Sequence, residues 1–151
     1  MENLKILNNR EIKQILDIIK RQWNADFKPV HAFLMNNKSK IFIINRDVSK
    51  IDLSKLRVNN IGMYFGEIVN DELRLSIEGS QLVGLTAKKG IIELNEKEAR
   101  GYLKGEEIDK KTKEKGFLII KHNNDFLGTG KSNGEKIFNY TPKERRITAS
   151  D

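Results

Sequence analysis

The chain has 151 residues, of which 38% are hydrophobic and 32% charged, a composition that suits one globular domain or two small ones. Lys and Arg outnumber Asp and Glu by 28 to 21, giving a net charge of +7. This excess favours either an anionic partner, nucleic acid before a membrane, or a generic basic surface. Because the chain has no cysteine and only two histidines, cysteine-ligated zinc is excluded, and we expect no metal and no cofactor.

The location of the protein is predicted to be cytoplasmic. The first residues, MENLKILNNREIK, lack the continuous apolar run of a signal peptide. No apolar stretch in the chain approaches the ~20 residues that a helix needs to cross a bilayer.

The first predicted element is a helix that Asn8 caps, with Glu11 closing a capping box. Apolar residues then recur at helical spacing, while most of the charged residues fall between them. The predicted apolar face consists of Ile12, Ile15, Leu16, Ile19 and Trp23. We expect Trp23 to lie in the core and not to stack on a base.

Two hairpins follow in the prediction, over residues 31–44 and 63–77, with turns at 36–39 and at Asn70-Asp71. Residues 47–56 between them are interpreted as a short helix or a connector. The second strand of the second hairpin alternates between apolar and polar residues, which is typical of a strand with one solvated face. Its predicted inward side chains are Leu73, Leu75 and Ile77.

The second half of the chain predicts strands around one short helix. Residues 81–93 contain three short apolar pieces around Lys88-Lys89-Gly90, which predict two short strands and a basic turn. Asn95 and Glu98 form a second capping box, so a helix is expected to begin there. Residues 116–120 are the most continuous apolar run and predict a central strand.

The order of the predicted elements indicates the fold class. Helices and strands do not alternate regularly, which argues against a parallel doubly wound sheet. We therefore expect an α+β fold, with an N-terminal helix and antiparallel hairpins followed by a small β pseudobarrel with one short helix. The expected domains are residues 1–81 and 82–151, with no flexible linker at the boundary.

The stretch from Phe126 to Arg146 combines turn-forming residues with positive charge. Its Gly128–Ser132 segment resembles the end of a nucleotide-binding phosphate loop, but Asp125 stands where that loop needs a glycine. An Asn133-Gly134 turn follows, where a phosphate loop would open a helix. The chain also lacks a G-x-G-x-x-G motif, so we expect no enzymatic activity.

Three segments, Gly116–Ile120, Phe126–Lys131 and Asn139–Arg146, together resemble the C-terminal RNA-binding segment of the Nop/Sun (Fmu-type) RNA cytosine-5 methyltransferases. Those segments are PUA-like domains, small pseudobarrels that dock structured RNA. The resemblance extends over about residues 82–146 and implies a PUA-like fold for the second domain. The first half is similar, at the level of pattern, to the N-terminal domain of Nip-type pre-ribosome factors.

The resemblance implies a non-catalytic RNA-binding protein, plausibly archaeal, that contacts an rRNA precursor or tRNA in ribosome biogenesis or RNA modification. The two catalytic cysteines of those enzymes have no counterpart here. An RNA methyltransferase or another ribosome-assembly factor is a possible partner. The expected RNA contacts, in a groove along the short helix and the basic turns, are Lys88, Lys89, Arg100, Lys104, Lys131, Lys136, Tyr140, Lys143, Arg145 and Arg146.

Two other functions stay open at the level of sequence. One is a protein-interaction adaptor for a separately encoded RNA-modifying enzyme, in which the hairpin over residues 63–77 offers an edge strand to the partner. The other is an enzyme whose site the motifs do not reveal.

Overall fold

The structure, a computed structural model, describes residues 4–28, 32–44 and 62–148. The segment 47–56, interpreted as a helix or a connector, therefore lies outside the described residues. In chain order the elements are β1 (Lys5–Ile6), α1 (Asn9–Trp23), β2 (Ala32–Met35), β3 (Lys40–Ile44), β4 (Met63–Val69), β5 (Glu72–Leu75), α2 (Ile77–Gly84), β6 (Ile91–Glu93), α3 (Glu96–Leu103), β7 (Ile108–Asp109), β8 (Gly116–His122), β9 (Asp125–Ser132), β10 (Lys136–Asn139) and a 3₁₀ turn (Lys143–Arg145).

Helix α1 begins where the sequence predicts it. The Asn8 side chain accepts a hydrogen bond from the Glu11 N–H at 2.9 Å, and the Glu11 carboxylate accepts one from the Asn8 N–H at 3.1 Å. The helix buries Ile15, Ile19 and Trp23, three residues of the predicted apolar face. The expectation that Trp23 belongs to the core is confirmed.

The first sheet contains both predicted hairpins. Its strand order is β1-β2-β3-β4-β5, and all neighbours pair antiparallel. Asn70 and Asp71 connect β4 to β5 and have positive φ angles of 52° and 64°. Such angles are typical of the tight turns that match the twist of a two-residue hairpin.

The region after β5 differs from the prediction. The strand ends at Leu75, the Ser76 side chain accepts a hydrogen bond from the Gly79 N–H at 2.9 Å, and helix α2 begins at Ile77. The predicted inward strand position of Ile77 and the first predicted strand of residues 81–93 are therefore wrong. Two glycines and a serine give this helix a poor intrinsic propensity, so its packing on β4 and β9 stabilises it.

The second sheet has the strand order β6-β8-β9-β10-β7 and curls into a half-barrel. Strand β8, the predicted central strand, is an interior strand next to the edge, with β6 parallel on one side and β9 antiparallel on the other. The hairpin between β9 and β10 turns at Asn133-Gly134, and α3 begins after Asn95 with the predicted capping box. The expected fold class, α+β with a small pseudobarrel, is confirmed.

One hydrophobic core joins residues from both halves of the chain. It contains Trp23 from α1, Phe65 from β4 and Val83 from α2, together with Phe117 and Ile119 from β8. The predicted boundary between residues 81 and 82 falls inside α2. The division into two domains stays a prediction, and a core shared in this way indicates that the two parts are not independent.

Glu98 makes the stability of the protein depend on pH. Burial raises the pKa of this carboxyl, but hydrogen bonds from the Asn95 N–H at 3.0 Å and from Lys110 at 3.1 Å lower it, so that the pKa lies below its ordinary value of 4.5. A depressed native pKa adds stability above the pKa of the unfolded chain, and this stability is lost as the pH falls through the native value.

We therefore expect acidification from about pH 5 to about pH 3 to destabilise the wild type more than Glu98→Gln. Glutamine can keep the capping hydrogen bond but cannot lose a charge. Urea unfolding of both proteins at pH 7, 5 and 3 measures the difference. Equal slopes of stability against pH for the two proteins would contradict the role given to Glu98.

Candidate nucleic-acid interface

The ten residues predicted to contact RNA come from several elements: the connection between α2 and β6, α3 and its C-cap, β9, β10 and the C-terminal segment. Five of the nine cationic side chains belong to residues that are exposed and four to residues that are half-buried. The exposed ones are Lys88, Lys89, Arg100, Lys143 and Arg145, and the half-buried ones are Lys104, Lys131, Lys136 and Arg146.

Two of these residues pack against the ring of Phe117. Lys131 lies opposite Phe117 in the pairing of β8 with β9, and its Nζ is 5.1 Å from the centre of the phenylalanine ring. Tyr140 packs edge-on against the same ring, with 6.1 Å between the centroids. Lys131 and Tyr140 are therefore brought together, although β10 separates them in the sequence.

Two of the cationic residues predicted to contact RNA form ion pairs with carboxylates, which offset part of their positive charge. The Lys136 Nζ lies 3.3 Å from Glu107 and 3.8 Å from Asp109, at the edge where β10 pairs with β7. The Arg145 guanidinium lies 2.8 Å from Glu78 on α2. A paired cation attracts a phosphate less than an unpaired one, so these two residues are weaker candidates than the sequence suggests.

The basic tail is docked onto the end of α3. The Arg146 Nε donates a hydrogen bond to the Thr141 carbonyl at 2.9 Å, and its guanidinium packs against Gly105. The Ile147 N–H donates to the Leu103 carbonyl at 2.9 Å. These contacts hold the tail in place and bring Arg146 close to Lys104, the C-cap of α3.

Lys88 and Lys89 lie in the connection between α2 and β6. Their backbone N–H groups donate to the Trp23 carbonyl at 2.9 and 3.2 Å, which fixes the segment against the end of α1. Lys89 borders a shallow depression that also contains Arg21 and Phe117. Phe117 therefore connects this surface with the group around Lys131 and Tyr140.

A deeper feature lies where the two sheets meet, and we name it the inter-sheet cleft. It has a volume of about 410 Å³, within the range of roughly 300–1,000 Å³ that small-molecule sites occupy. The first sheet contributes Tyr64 and Arg74, and the C-terminal half contributes Thr129, Tyr140 and Arg145. Only Tyr140 and Arg145 belong to the ten predicted residues.

Arg74 is one of the cleft residues that the sequence analysis did not predict. The alternation in β5 predicts that its side chain points away from the core, but it gives no indication of what lies opposite. In the fold, its guanidinium lies 4.6 Å from the centre of the Tyr140 ring and 3.3 Å from the Glu67 carboxylate. The contact between Arg74 and Tyr140 links the first sheet to the C-terminal segment.

Two tyrosines in the cleft wall are protonated at neutral pH. Burial raises the pKa of Tyr102 to about 12, and hydrogen bonding to the Thr141 side chain and to the Thr129 backbone lowers it only in part. Burial also raises the pKa of Tyr64, and Glu67 adds to the rise while Arg74 opposes it. Both side chains are therefore neutral aromatic surfaces.

Other kinds of site find no support in the part of the chain that the structure describes. Within residues 4–28, 32–44 and 62–148, no group of three or more His, Asp or Glu side chains has a geometry that could hold a metal ion. The described helices are too short or too polar to cross a bilayer.

The second half of the chain matches a known family. The model of the family described as the methyltransferase RsmF PUA domain matches residues 89–147. Two similar curated proteins are both named ribosomal RNA small subunit methyltransferase F, from Aeromonas hydrophila and Aeromonas salmonicida. They are 31% and 30% identical to this chain over 91 residues, which is 60% of the chain.

The matched region is a small part of those relatives, because it spans 19% of their length. Both relatives are bacterial, which speaks against the archaeal source that the sequence suggested. The family model describes the PUA domain and no catalytic domain. Together, the half-barrel, the C-terminal motif and the match show that the second half of this chain carries a PUA domain resembling the C-terminal domain of the Fmu-type RNA methyltransferases.

Proposed function

We propose that this protein is a non-catalytic RNA-binding protein that contacts structured RNA, an rRNA precursor or tRNA, in RNA modification or ribosome biogenesis. The observation that carries the proposal is the match of residues 89–147 to the PUA domain of RsmF. Nine of the ten residues predicted to contact RNA, all except Lys88, lie within the matched range.

The distribution of charge supports an RNA partner. Residues 89–147 contain 14 Lys and Arg against 10 Asp and Glu, a net charge of +4, so that more than half of the total of +7 lies in this region. Lys and Arg side chains that neutralise backbone phosphates supply most of the non-specific affinity for a nucleic acid. The exposed lysines of this region are suited to that role, and they carry no sequence preference of their own.

The absence of catalysis is part of the proposal. The family model covers an RNA-binding domain, and the chain has no cysteine to act as the nucleophile of a cytosine-5 methyltransferase. Any modification of the bound RNA would then come from a separately encoded methyltransferase or another ribosome-assembly factor. We propose the cytoplasm as the location of this RNA-binding function.

The alternative of a protein-interaction adaptor depends on a free edge at the hairpin of β4 and β5. The Gln22 side chain occupies that edge. Its Nε2 donates to the Leu73 carbonyl at 3.0 Å, and its Oε1 accepts from the Leu73 N–H at 2.7 Å. The N–H and C=O of Leu73, with which a partner strand would pair, are therefore bonded within the chain.

The proposal is tested by removing phosphate contacts and measuring the salt dependence of RNA binding. Lys88, Lys104 and Lys143 are suited to the test because, among the described residues, none of them has an ion-pair partner. Changing all three to alanine removes contacts of about 0.5 kcal/mol each, which weakens binding about tenfold. The slope of log K against log salt flattens by about one unit for each lost contact.

The matched control changes Lys13, Lys20 and Lys38 to alanine. These lysines are exposed and lie outside the predicted set, so the net charge falls equally while the predicted surface stays intact. Fluorescence anisotropy with a labelled rRNA fragment, from about 50 to about 300 mM salt, measures both variants. An equal loss in both variants would show that only the overall charge matters, and no binding by the wild type would overturn the proposed function.

A further inference from the structure

The charge of the inter-sheet cleft differs from that of the surrounding basic surface. Its described lining contains three cationic and three anionic side chains, which are Lys40, Arg74, Arg145, Glu67, Glu78 and Glu144. Two of the cations are already paired inside the cleft, Arg74 with Glu67 at 3.3 Å and Arg145 with Glu78 at 2.8 Å. A site with three carboxylates and two compensated arginines does not favour a phosphate, so the cleft is not a continuation of the phosphate-binding surface.

The cleft offers instead what a neutral planar group needs. Tyr140 is 41% exposed, so its ring keeps area for a second planar partner beside the Arg74 guanidinium. Tyr64 forms another aromatic wall, with the Lys40 Nζ 5.9 Å from the centre of its ring. Aromatic rings and arginine planes are the surfaces on which RNA-binding proteins stack unpaired bases.

Polar groups in the wall supply hydrogen-bonding capacity for the edge of such a ligand. Thr129 is one of the residues that line the cleft, and its buried Oγ1 has no hydrogen-bond partner among the described residues. The Glu144 carboxylate lies at the same opening, on the 3₁₀ turn. Carboxylates accept hydrogen bonds from the exocyclic amino groups and ring N–H groups that nucleobases present and that phosphates lack.

We propose that the inter-sheet cleft receives one unpaired base of the bound RNA, stacked on Tyr140 next to Arg74. The inference rests on the RNA binding proposed above and adds a second kind of contact to it. The basic surface holds phosphates of any sequence, whereas the cleft selects RNA that can release a base from its helix. Both halves of the chain form the cleft, so the PUA domain alone would lack the Arg74 and Tyr64 walls.

The test compares three RNA hairpins with the same stem, which carry a single bulged nucleotide, an abasic residue at the bulge, or no bulge. Stacking of one base on an aromatic side chain is worth enough that we expect the bulged RNA to bind about tenfold more tightly than the other two. The salt slope should be similar for all three, since the phosphate contacts do not change. Equal affinity for the three RNAs would overturn the base-binding cleft and leave the proposed function standing.

Single-residue variants test whether the preference for the bulged RNA arises in the inter-sheet cleft. Tyr140→Ala should lose the preference for the bulged RNA over the abasic and fully paired hairpins, and Tyr140→Phe, which retains the ring, should restore the preference. Arg74 belongs to the first sheet, and Arg74→Ala should reduce the same preference for the bulged RNA. Thermal melting of each variant checks that it is folded. A preference that survives both Tyr140→Ala and Arg74→Ala would also overturn the inference.

A free nucleoside has the same ring chemistry as a base in a strand. The last experiment therefore measures the binding of the four nucleosides to the protein by calorimetry. We expect affinities far weaker than for the bulged RNA, because a strand also contributes its phosphate contacts. A nucleoside that binds more tightly than the bulged RNA would assign the cleft to a small molecule. Failure of the wild type to bind any of the three RNAs would overturn the proposed function and this inference together.

Discussion

Replacing Trp23 by alanine is expected to lower the free energy of unfolding by about 3–5 kcal/mol. The indole is 0% exposed and belongs to the core that α1, the first sheet and β8 share. It also lies so close to Gly90 that a Cβ there would approach the Trp23 Cδ1 to 2.5 Å. Because the indole Nε1 has no hydrogen-bond partner among the described residues, the whole loss would come from packing.

Denaturant unfolding measures this loss, and Lys13→Ala in the same helix is the control. Lys13 is exposed, so we expect a change within about 0.5 kcal/mol for that variant. Native-state hydrogen exchange adds a second readout. Since the core contains residues of both halves, the amides of β4 and β8 should lose protection together in Trp23→Ala.

The same exchange experiment tests the domain boundary predicted between residues 81 and 82. If the amides of β8 and β9 kept wild-type protection while those of the first sheet opened, residues 82–151 would unfold as a separate domain. That result would contradict the joint unfolding expected here. It would also imply that the inter-sheet cleft opens without loss of the pseudobarrel.

Replacing Gly79 by alanine is expected to cost about 1–2 kcal/mol, although alanine is the better helix former. Gly79 is the point where α2 approaches β4, and a Cβ there would lie far inside the contact distance of the Phe65 carbonyl oxygen. Helix propensity favours the substitution by about 1 kcal/mol. Overpacking against the backbone costs roughly 1–3 kcal/mol, so the clash outweighs the gain.

Gly101→Ala in α3 is the matched control, because the same change is made in a second helix. There a Cβ would come closest to the carboxylate end of Glu106, at 2.8 Å, and that flexible side chain can move away, while the Ile108 Cδ1 at 3.6 Å is an ordinary contact. We expect Gly101→Ala to stabilise the protein by about 0.5 kcal/mol. Chemical denaturation of the two variants side by side checks the opposite signs. A stabilised Gly79→Ala variant would show that α2 is not held tightly against β4.

The elements that the sequence predicts well have signals confined to a few neighbouring residues. Asn8 with Glu11 and Asn95 with Glu98 are complete capping boxes, and both helices begin there. The Asn70-Asp71 turn likewise lies between two strands, and the second of them, β5, alternates between apolar and polar residues. In each case the hydrogen bonds that define the element join residues no more than four positions apart, so a pattern in the sequence contains them.

Helix α2 is an element that local sequence signals do not predict. Its sequence, IEGSQLVG, contains two glycines and follows a strand pattern that continues through Ile77. Local propensity therefore favours a strand or a turn, and the helix forms because small residues allow it to approach β4 closely. Tertiary packing overrides propensity at such positions.

The candidate site likewise contains features that depend on local sequence and features that depend on contacts between distant residues. The basic character of the C-terminal half, its closing hairpin and its likeness to a PUA domain can be predicted from the sequence, because these depend on composition and on a contiguous motif. The pairing of Glu78 with Arg145, and the contact of Arg74 with Tyr140 across a cleft, can be seen only in the fold. Those partners come from distant parts of the chain, and the packing of the two sheets, which no local pattern encodes, brings them together.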